Sequence, residues 1–296
     1  MSWKRIALLS LCLGLVRVGG AEGIEEKDDL GETVKLEKPA VRLISLAPSN
    51  TEMLYALGLG AQVVGVTEYC NFPPEAAEKP HVASYNSVNT ELITAARPDL
   101  VFAIRGNDSE GLQSLKNLGI PVFALDIQTL DQMLEALQRL GRLTGAEKQA
   151  EALVDSLTQR LKDVTAGLSE DKPSVLWAHL ADPIYTAGAG TFIDDVIQRA
   201  GGRNLGGQAP GSWPQISLET VVGWGPEVIV TTDGRAKPEV LEAELARLRQ
   251  TDGWKSLPAV RQGRILFVEG DLLLRPGPRV IEALEMIRAY LAPKGP

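Results

Sequence analysis

The sequence predicts an α/β protein of two similar lobes, each with a mostly parallel sheet, joined by a single long interdomain helix. Three observations lead there. Short β-rich runs alternate with helical stretches over short connections. One unit occurs twice, as VNTELITAARPDLVFAI from Val88 and ISLETVVGWGPEVIVTT from Ile216; superposed, Glu91 falls on Glu219, Pro98 on Pro226 and Asp99 on Glu227. Between the halves, Ala150, Leu153, Val154, Leu157, Leu161 and Val164 recur at helical spacing behind Thr144 and Glu147, which have the spacing of a capping box.

Residues 1–21 read as a secretory signal peptide. Lys4 and Arg5 form a basic start, and Ile6 to Val16 is an apolar run. That run is too short for a bilayer core, which needs ~20 residues. Gly19, Gly20 and Ala21 offer a cleavage site. Cys12 would be the anchor of a lipoprotein, but Leu11 stands where a small residue is wanted. Cleaved export to the periplasm is therefore expected in preference to lipoprotein anchoring.

Residues 22–39 form a charged N-terminal extension, expected to be loosely held, with TVKL as a short edge strand. The first lobe spans 40–143. RLISLAP is a buried strand, and Ser49 with Glu52 reads as a capping box for a helix ending at Gly58. AQVVGVT, LVFAI and IPVFALD supply further strands, with helices capped at Asn89 and running through LQSLKNLG. Residues 144–168 form the interdomain helix, ~35 Å long at 1.5 Å per residue. A Gly/Ser linker that would let the lobes wander is absent. The second lobe, 169–296, repeats the plan: SVLWAHL as strand, TFIDDVIQRAGG as helix, the Ile216 unit, LEAELARLRQ as helix and GRILFVEGD as strand. A last helix carries Val280, Leu284, Ile287 and Leu291.

Composition narrows the function classes. The chain has 296 residues, 44% hydrophobic and 23% charged, enough for one or two domains with real cores. Its net charge of −8 becomes more negative when Lys4, Arg5 and Arg17 leave with the signal. Such an acidic surface argues against nucleic acid as a partner. Cys12 leaves too, so Cys70 stands alone and no intramolecular disulfide can form.

Catalytic signatures are missing. The sequence has no P-loop, nucleophile elbow, C-x-x-C or H-E-x-x-H. GLGAQVVG from Gly58 follows a helix and lacks the glycine spacing of a dinucleotide site. Two histidines, His81 and His179, exclude a three-histidine metal centre, although either can be a lone axial ligand to a metal within a cofactor. His179, inside LWAHLADP, is expected as a hydrogen-bonded core residue. Cys70 has no neighbouring histidine in sequence to activate it. A binding protein is therefore expected rather than an exported enzyme, with no catalytic residues and no resident metal.

In open α/β sheets, ligands sit beyond the carboxyl ends of the strands. The loops there hold much of an aromatic supply that is only 5% of the chain: Tyr69, Phe72, Tyr85, Tyr185 and Trp213. Trp177 and Phe102 fall inside strands and are expected in the core. Rings in Pro/Gly/Asn-rich loops stay wet unless a ligand covers them, which favours a large, flat, partly apolar ligand. Asn50, Asn86, Thr186 and Gln215 are the uncharged polar complement, and Arg105 and Arg275 are candidates to meet a negative group. Glu91 and Glu219 each fall in the first turn of an expected helix. There they either complement the helix dipole, by ~0.3–1 kcal/mol, or present one carboxylate per lobe to arginines of a symmetric partner.

RLISLAPSNTEMLYALG, GVTEYCNFPPEA, RPDLVFAIRG and SWPQIS carry a likeness. Over about residues 40–292 the chain resembles the helical-backbone class of periplasmic solute-binding proteins that serve ABC importers. Within that class, Y-x-x-F-P-P and W-P-Q resemble the cobalamin-binding branch. The resemblance implies a monomer that holds cobalamin between its lobes, as transported ligand rather than catalyst, and hands it to a membrane permease dimer. It implies that Tyr69 and Trp213 lie against the corrin, with Tyr85 where the branch has tryptophan and Tyr185 where it has phenylalanine. It further implies that Glu91 and Glu219 dock onto permease arginines. Ile104 replaces a tryptophan of the branch, and Leu272 and Leu273 replace an aromatic pair. Those departures leave cobinamide, heme or a ferric siderophore open as the ligand.

Overall fold

The computed structural model describes residues 23–84, 87–180, 182–232 and 238–292. In chain order the first lobe comprises β1 (Ile24–Lys27), β2 (Thr33–Leu36), β3 (Leu43–Ser45), α1 (Pro48–Ala56), β4 (Val63–Thr67), β5 (His81–Ala83), α2 (Thr90–Ala96), β6 (Leu100–Ile104), α3 (Ser109–Asn117) and β7 (Val122–Leu125). Its five-stranded sheet has the order β5-β4-β3-β6-β7 and is parallel throughout. The near-continuous apolar runs of β6 and β7 fit this, because both faces of a parallel sheet are covered by helices.

Two helices follow, α4 (Leu130–Thr144) and α5 (Glu147–Thr165). The second lobe then runs β8 (Ser174–His179), β9 (Ile184–Thr186), α6 (Phe192–Arg199), β10 (Arg203–Asn204), β11 (Gln215–Ile216), α7 (Leu218–Trp224), β12 (Val228–Thr231), α8 (Pro238–Gln250), α9 (Pro258–Arg261), β13 (Ile265–Phe267), α10 (Gly270–Leu273) and α11 (Val280–Leu291). Strands β10, β12 and β13 are parallel to their neighbours around the central β8, while β9 and β11 add an antiparallel margin. The order β4-β3-β6-β7 of the first sheet thus returns as β10-β8-β12-β13 in the second. The fold is two α/β lobes with mostly parallel sheets.

The duplicated unit is repeated down to its hydrogen bonds. Asn89 caps α2 by accepting from the Leu92 amide, and Ser217 caps α7 by accepting from the Thr220 amide. Each helix ends on a left-handed residue, Arg97 at φ 48° and Gly225 at φ 58°. The acid after each proline ties down the start of the central strand. Asp99 accepts from the Val41 and Arg42 amides at 2.9 and 2.8 Å, and Glu227 accepts from the Ser174 amide and hydroxyl at 2.7 and 2.8 Å. In the first lobe Arg42 also donates to the Ala96 and Arg97 carbonyls that end α2.

Three local expectations are corrected. Thr144 does not cap the second helix: it ends α4, where its hydroxyl donates to the Leu140 carbonyl, and Gly145 turns the chain at φ 73°. The long connecting helix is therefore α5, starting after the turn at Gly145 and spanning about 28 Å at 1.5 Å per residue, with α4 leading into it to complete the strut. The helices cross closely at Gly141, where an added Cβ would stand 2.7 Å from that of Ala150. Second, Ser49 and Glu52 form no capping box, because the helix begins at Pro48 with Ala47 at its N-cap, which places Ser49 inside it, and Glu52 pairs with arginines instead. Third, the N-terminal extension is a β1–β2 hairpin rather than a loose segment. Asp28 accepts from the Ala124 amide and Asp29 from that of Asp126, while Arg139 and Arg142 of α4 pair with Asp29 and Glu26.

One buried cluster runs through both lobes. It passes from Leu43, Met53 and Phe102 of the first lobe, along Met133, Leu137 and Leu140 of α4 and Ala150, Val154, Leu157 and Leu161 of α5, to Val230, Leu284 and Ile287 of the second. The lobes share a core through the strut, so they cannot part by bending at a loose linker. Among the described residues no helix is long and apolar enough to cross a membrane.

Two outcomes follow. Arg97→Gly removes a left-handed side chain and should raise stability by about 1 kcal/mol, read from urea unfolding. The amide and hydroxyl of Ser174 hold the Glu227 carboxyl below its ordinary value near 4.5. A depressed carboxylate stabilises above the unfolded value and loses that contribution as pH falls through the folded one. Glu227→Gln should therefore be less stable than wild type at pH 7, and the gap should narrow below about pH 4.5 in thermal melts.

Candidate functional site

Parallel packing aligns the carboxyl ends of β3, β4 and β6, and the loops leaving them enclose a cavity of about 490 Å³. Leu46, Thr67, Tyr69 and Ile104 line it from the first lobe, and Leu274 to Pro276 close it from the second. A smaller pocket of about 120 Å³ continues past Ile104 to Arg105 and Asp126. The cavity is thus an inter-lobe one at the position where such sheets bind ligands.

The loop aromatics are exposed rather than packed away: Tyr69 52%, Phe72 38%, Tyr185 43% and Trp213 53%. Trp177, Phe102 and Phe123 by contrast are buried, as strand residues should be. Tyr69 borders the inter-lobe cavity; Tyr185, Gln215 and Trp213 belong to the second lobe and do not line it. Tyr85 and Asn86 lie outside the described residues. Asn50 is buried, with its amide donating to the Ala103 carbonyl, and Thr186 is buried with its hydroxyl on the Trp177 carbonyl. Both are framework groups rather than exposed polar contacts.

Hairpin register arranges the second-lobe residues. His179 of β8 pairs with Tyr185 of β9, and Tyr185 pairs with Gln215 of β11. Directly opposed strand residues share a face, so these three form one row. Two residues along, Trp177 lies on the same face, and its ring meets that of Trp213 edge-to-face, centroids 5.9 Å apart. Such a pair contributes about 0.5–1.5 kcal/mol beyond its buried area. The loop carrying Trp213 is held against β9 by Thr186 donating to Pro214 and Gly188 donating to Ser212. A side chain at 188 is excluded, since its Cβ would stand 1.9 Å from the Gly211 carbonyl oxygen.

His179 is exposed at the last position of its strand, not in the core as expected. The signal was available: the strand reads SVLWAH and breaks at Asp182-Pro183, which puts position 179 at the carboxyl edge. Tyr185 was expected in a loop and instead sits on a short strand.

The arginines differ. Arg105 remains largely exposed, and among the described residues it pairs through Nε with Asp126. Arg275 lines the cavity, but its guanidinium already meets Glu52 at 3.2 Å, Asp271 at 2.7 Å and the Asn71 side-chain Oδ1 at 2.7 Å. It offers no unpaired charge to a ligand. Glu52, whose side chain is 2% exposed, also accepts two bonds from Arg279 at 2.9 and 2.6 Å. Donating to Glu52 pushes the Arg279 guanidinium further above its ordinary value. Arg279 in turn lies 3.7 Å from the Phe72 ring centroid, and Asn71 donates to Asp271 at 2.9 Å. Sequence reasoning missed this inter-lobe cluster because Glu52 has the spacing of a helix cap.

Glu91 and Glu219 are exposed in the first turns of α2 and α7. Hydrogen bonds from its own amide and from Ser217 hold the Glu219 carboxyl below its ordinary value. A groove of about 1000 Å³ beside Glu219 is lined by Ile184, Ile216, Arg247 and Trp254. Every residue lining that groove belongs to the second lobe, which sets it apart from the inter-lobe cavity. Among the described residues no group of three or more His, Cys, Asp or Glu could hold a metal ion.

This two-lobed architecture with a cavity between the lobes is the form of a solute-binding protein. Residues 43–272 match the periplasmic binding protein family, and the chain belongs to that family. An uncharacterized ABC transporter substrate-binding lipoprotein of Bacillus subtilis, YvrC, is 34% identical over 275 residues, covering 90% of this chain and 84% of that protein. The structure of the periplasmic vitamin B12 binding protein BtuF of Vibrio cholerae is similar at a TM-score of 0.75 and 31% identity, covering 86% of this chain and 97% of that one. The periplasmic heme-binding protein RhuT of Roseiflexus is similar at a TM-score of 0.73 and 27% identity, covering 84% and 97%. Relatives described as periplasmic or as lipoproteins are consistent with an extracytoplasmic location.

Removing the Glu52 carboxylate leaves two half-buried arginines facing each other. Glu52→Ala should lower stability by about 3 kcal/mol, visible in thermal unfolding, with Glu52→Gln losing less.

Proposed function

We propose that the chain is the substrate-binding protein of an ABC importer, exported with cleavage of residues 1–21 and working as a periplasmic monomer. It traps a corrinoid, cobalamin or a close relative, between its lobes and delivers it chemically unaltered to the permease dimer. The supporting observation is the placement of exposed rings, Tyr69 and Phe72 in one lobe and Tyr185 and Trp213 in the other, at the carboxyl side of the sheets. With Tyr85, Asn86, Arg105 and Gln215 they would grip the ligand, while Arg275 would shape the cavity and keep its inter-lobe pairs. Likeness to a vitamin B12 binding protein adds weight to the corrinoid. Purified protein mixed with cobalamin should elute as a coloured peak, and Trp213→Ala should weaken binding roughly tenfold in calorimetry.

A second reading, heme or a ferric siderophore, is favoured by aliphatic lining at Ile104 and Leu274, and by the likeness to a heme-binding structure. A peak colourless with cobalamin but coloured with hemin or a ferric siderophore would establish it.

Glu91 and Glu219, one per lobe, would dock onto arginines of the permease. The double variant Glu91→Gln/Glu219→Gln should keep its ligand affinity and lose transport into vesicles bearing the importer. Unchanged transport would return both residues to the helix dipole.

A further inference from the structure

We infer that the small pocket beyond Ile104 is a subsite for a primary carboxamide on the rim of the ligand, selecting amide-bearing corrinoids over macrocycles that bear carboxylates. This rests on the corrinoid reading above. The pocket, of about 120 Å³, is lined by Ser49, Arg105, Asp126 and Ile127, and Pro276 closes it from the second lobe. About 10–15 Å³ is enough for one water, so a small polar head group fits. Ser49 is 4% exposed, yet its hydroxyl bonds to no described residue. A buried hydroxyl ordinarily has a partner. This one is not among the sealed-off polar atoms of the core, and Ser49 lines both the inter-lobe cavity and the small pocket. The N-terminus of α1 opens at the same place, with Ala47 at its N-cap and no side chain capping it.

The charged pair in the pocket is only partly used. Arg105 donates to Asp126 through Nε, which leaves its terminal nitrogens without a partner among the described residues. Asp126 accepts from Arg105 and, at 2.7 Å, from the Gln128 amide, so some of its roughly four lone-pair sites stay open. Donors and an acceptor therefore face one small space. A primary carboxamide matches both: its oxygen accepts from Ser49 and Arg105, and its NH₂ donates to Asp126. A carboxylate has only acceptors. It would set a second negative charge where one guanidinium already serves Asp126, and the helix end adds only about half a unit of positive charge. The amide is favoured. A site built to hydrogen-bond one group discriminates strongly against an analogue that leaves its polar atoms unpaired. Corrin side chains end in carboxamides and those of hemin in carboxylates, so this pocket reads the difference between them.

The test titrates the purified chain at pH 7 with dicyanocobinamide and with dicyanocobyrinic acid, the same macrocycle with carboxylates in place of the amides, in a calorimeter. Wild type should bind the amide at least about tenfold more tightly than the acid. Ser49→Ala should weaken binding of the amide about fivefold, and Asp126→Asn should narrow the amide-to-acid preference about tenfold. Circular dichroism checks the fold of both variants. Ser49→Ala breaks no hydrogen bond of the free protein, so it decides the matter even if Asp126→Asn does not fold. Acid bound as tightly as amide, an amide affinity unmoved by Ser49→Ala, or a preference unchanged in folded Asp126→Asn overturns the inference and leaves the corrinoid reading standing. Binding of neither corrinoid overturns both.

Discussion

The geometry of the cleft depends on one carboxylate. Glu52 sits on the first helix of the first lobe, almost fully buried, and receives Arg275 and Arg279 from the second lobe. Burying an ion costs several kcal/mol, which Coulomb attraction offsets only when the geometry is good and the remaining lone pairs are satisfied. Here three guanidinium bonds meet the two oxygens, so the carboxylate is well supplied. What the cluster adds is a fixed relation between the lobes. The same Arg279 covers Phe72 and the same Arg275 reaches Asn71, so the aromatic loop of the first lobe is positioned by side chains of the second.

The shared core acts in the same sense. Leucines and alanines of α4 and α5 join both lobes into one buried cluster, with Asp131–Arg199 and Arg160–Glu285 pinning the strut to the second lobe. Motions that leave this packing intact are small shear displacements of packed helices rather than wide hinge opening. A receptor built so holds its binding surface nearly preformed, and little ordering has to accompany capture.

Much of this was legible in the residues. Element types followed from apolar period and caps, and Asn89 and Ser217 cap as their spacing said. The repeated acid after proline was also visible, although its purpose, anchoring the first amides of each central strand, needed coordinates. What failed were motifs with two physical uses. Ser49-x-x-Glu52 and Thr144-x-x-Glu147 both spell a capping box. One glutamate's partners lie 223 and 227 positions away, and one threonine closes the preceding helix instead. Local spacing holds no information on partners so distant. The exposure of Tyr69, Phe72 and Trp213 could be read from their place among turn residues, whereas Tyr185 is exposed on a short strand. Arg275 looked available until its neighbours were known, and His179 looked buried because a strand's last residue is hard to tell from its interior.

Cys70 has a consequence for how the protein endures outside a reducing cytoplasm. It is the free cysteine among the described residues, 1% exposed, and its sulfur accepts from the Thr51 hydroxyl at 3.1 Å with Thr67 at 3.2 Å on another side. Disulfide exchange requires an attacking thiolate to reach a partner sulfur. A thiol so enclosed is shielded from attack on, or by, a sulfur of a second copy while the fold is intact.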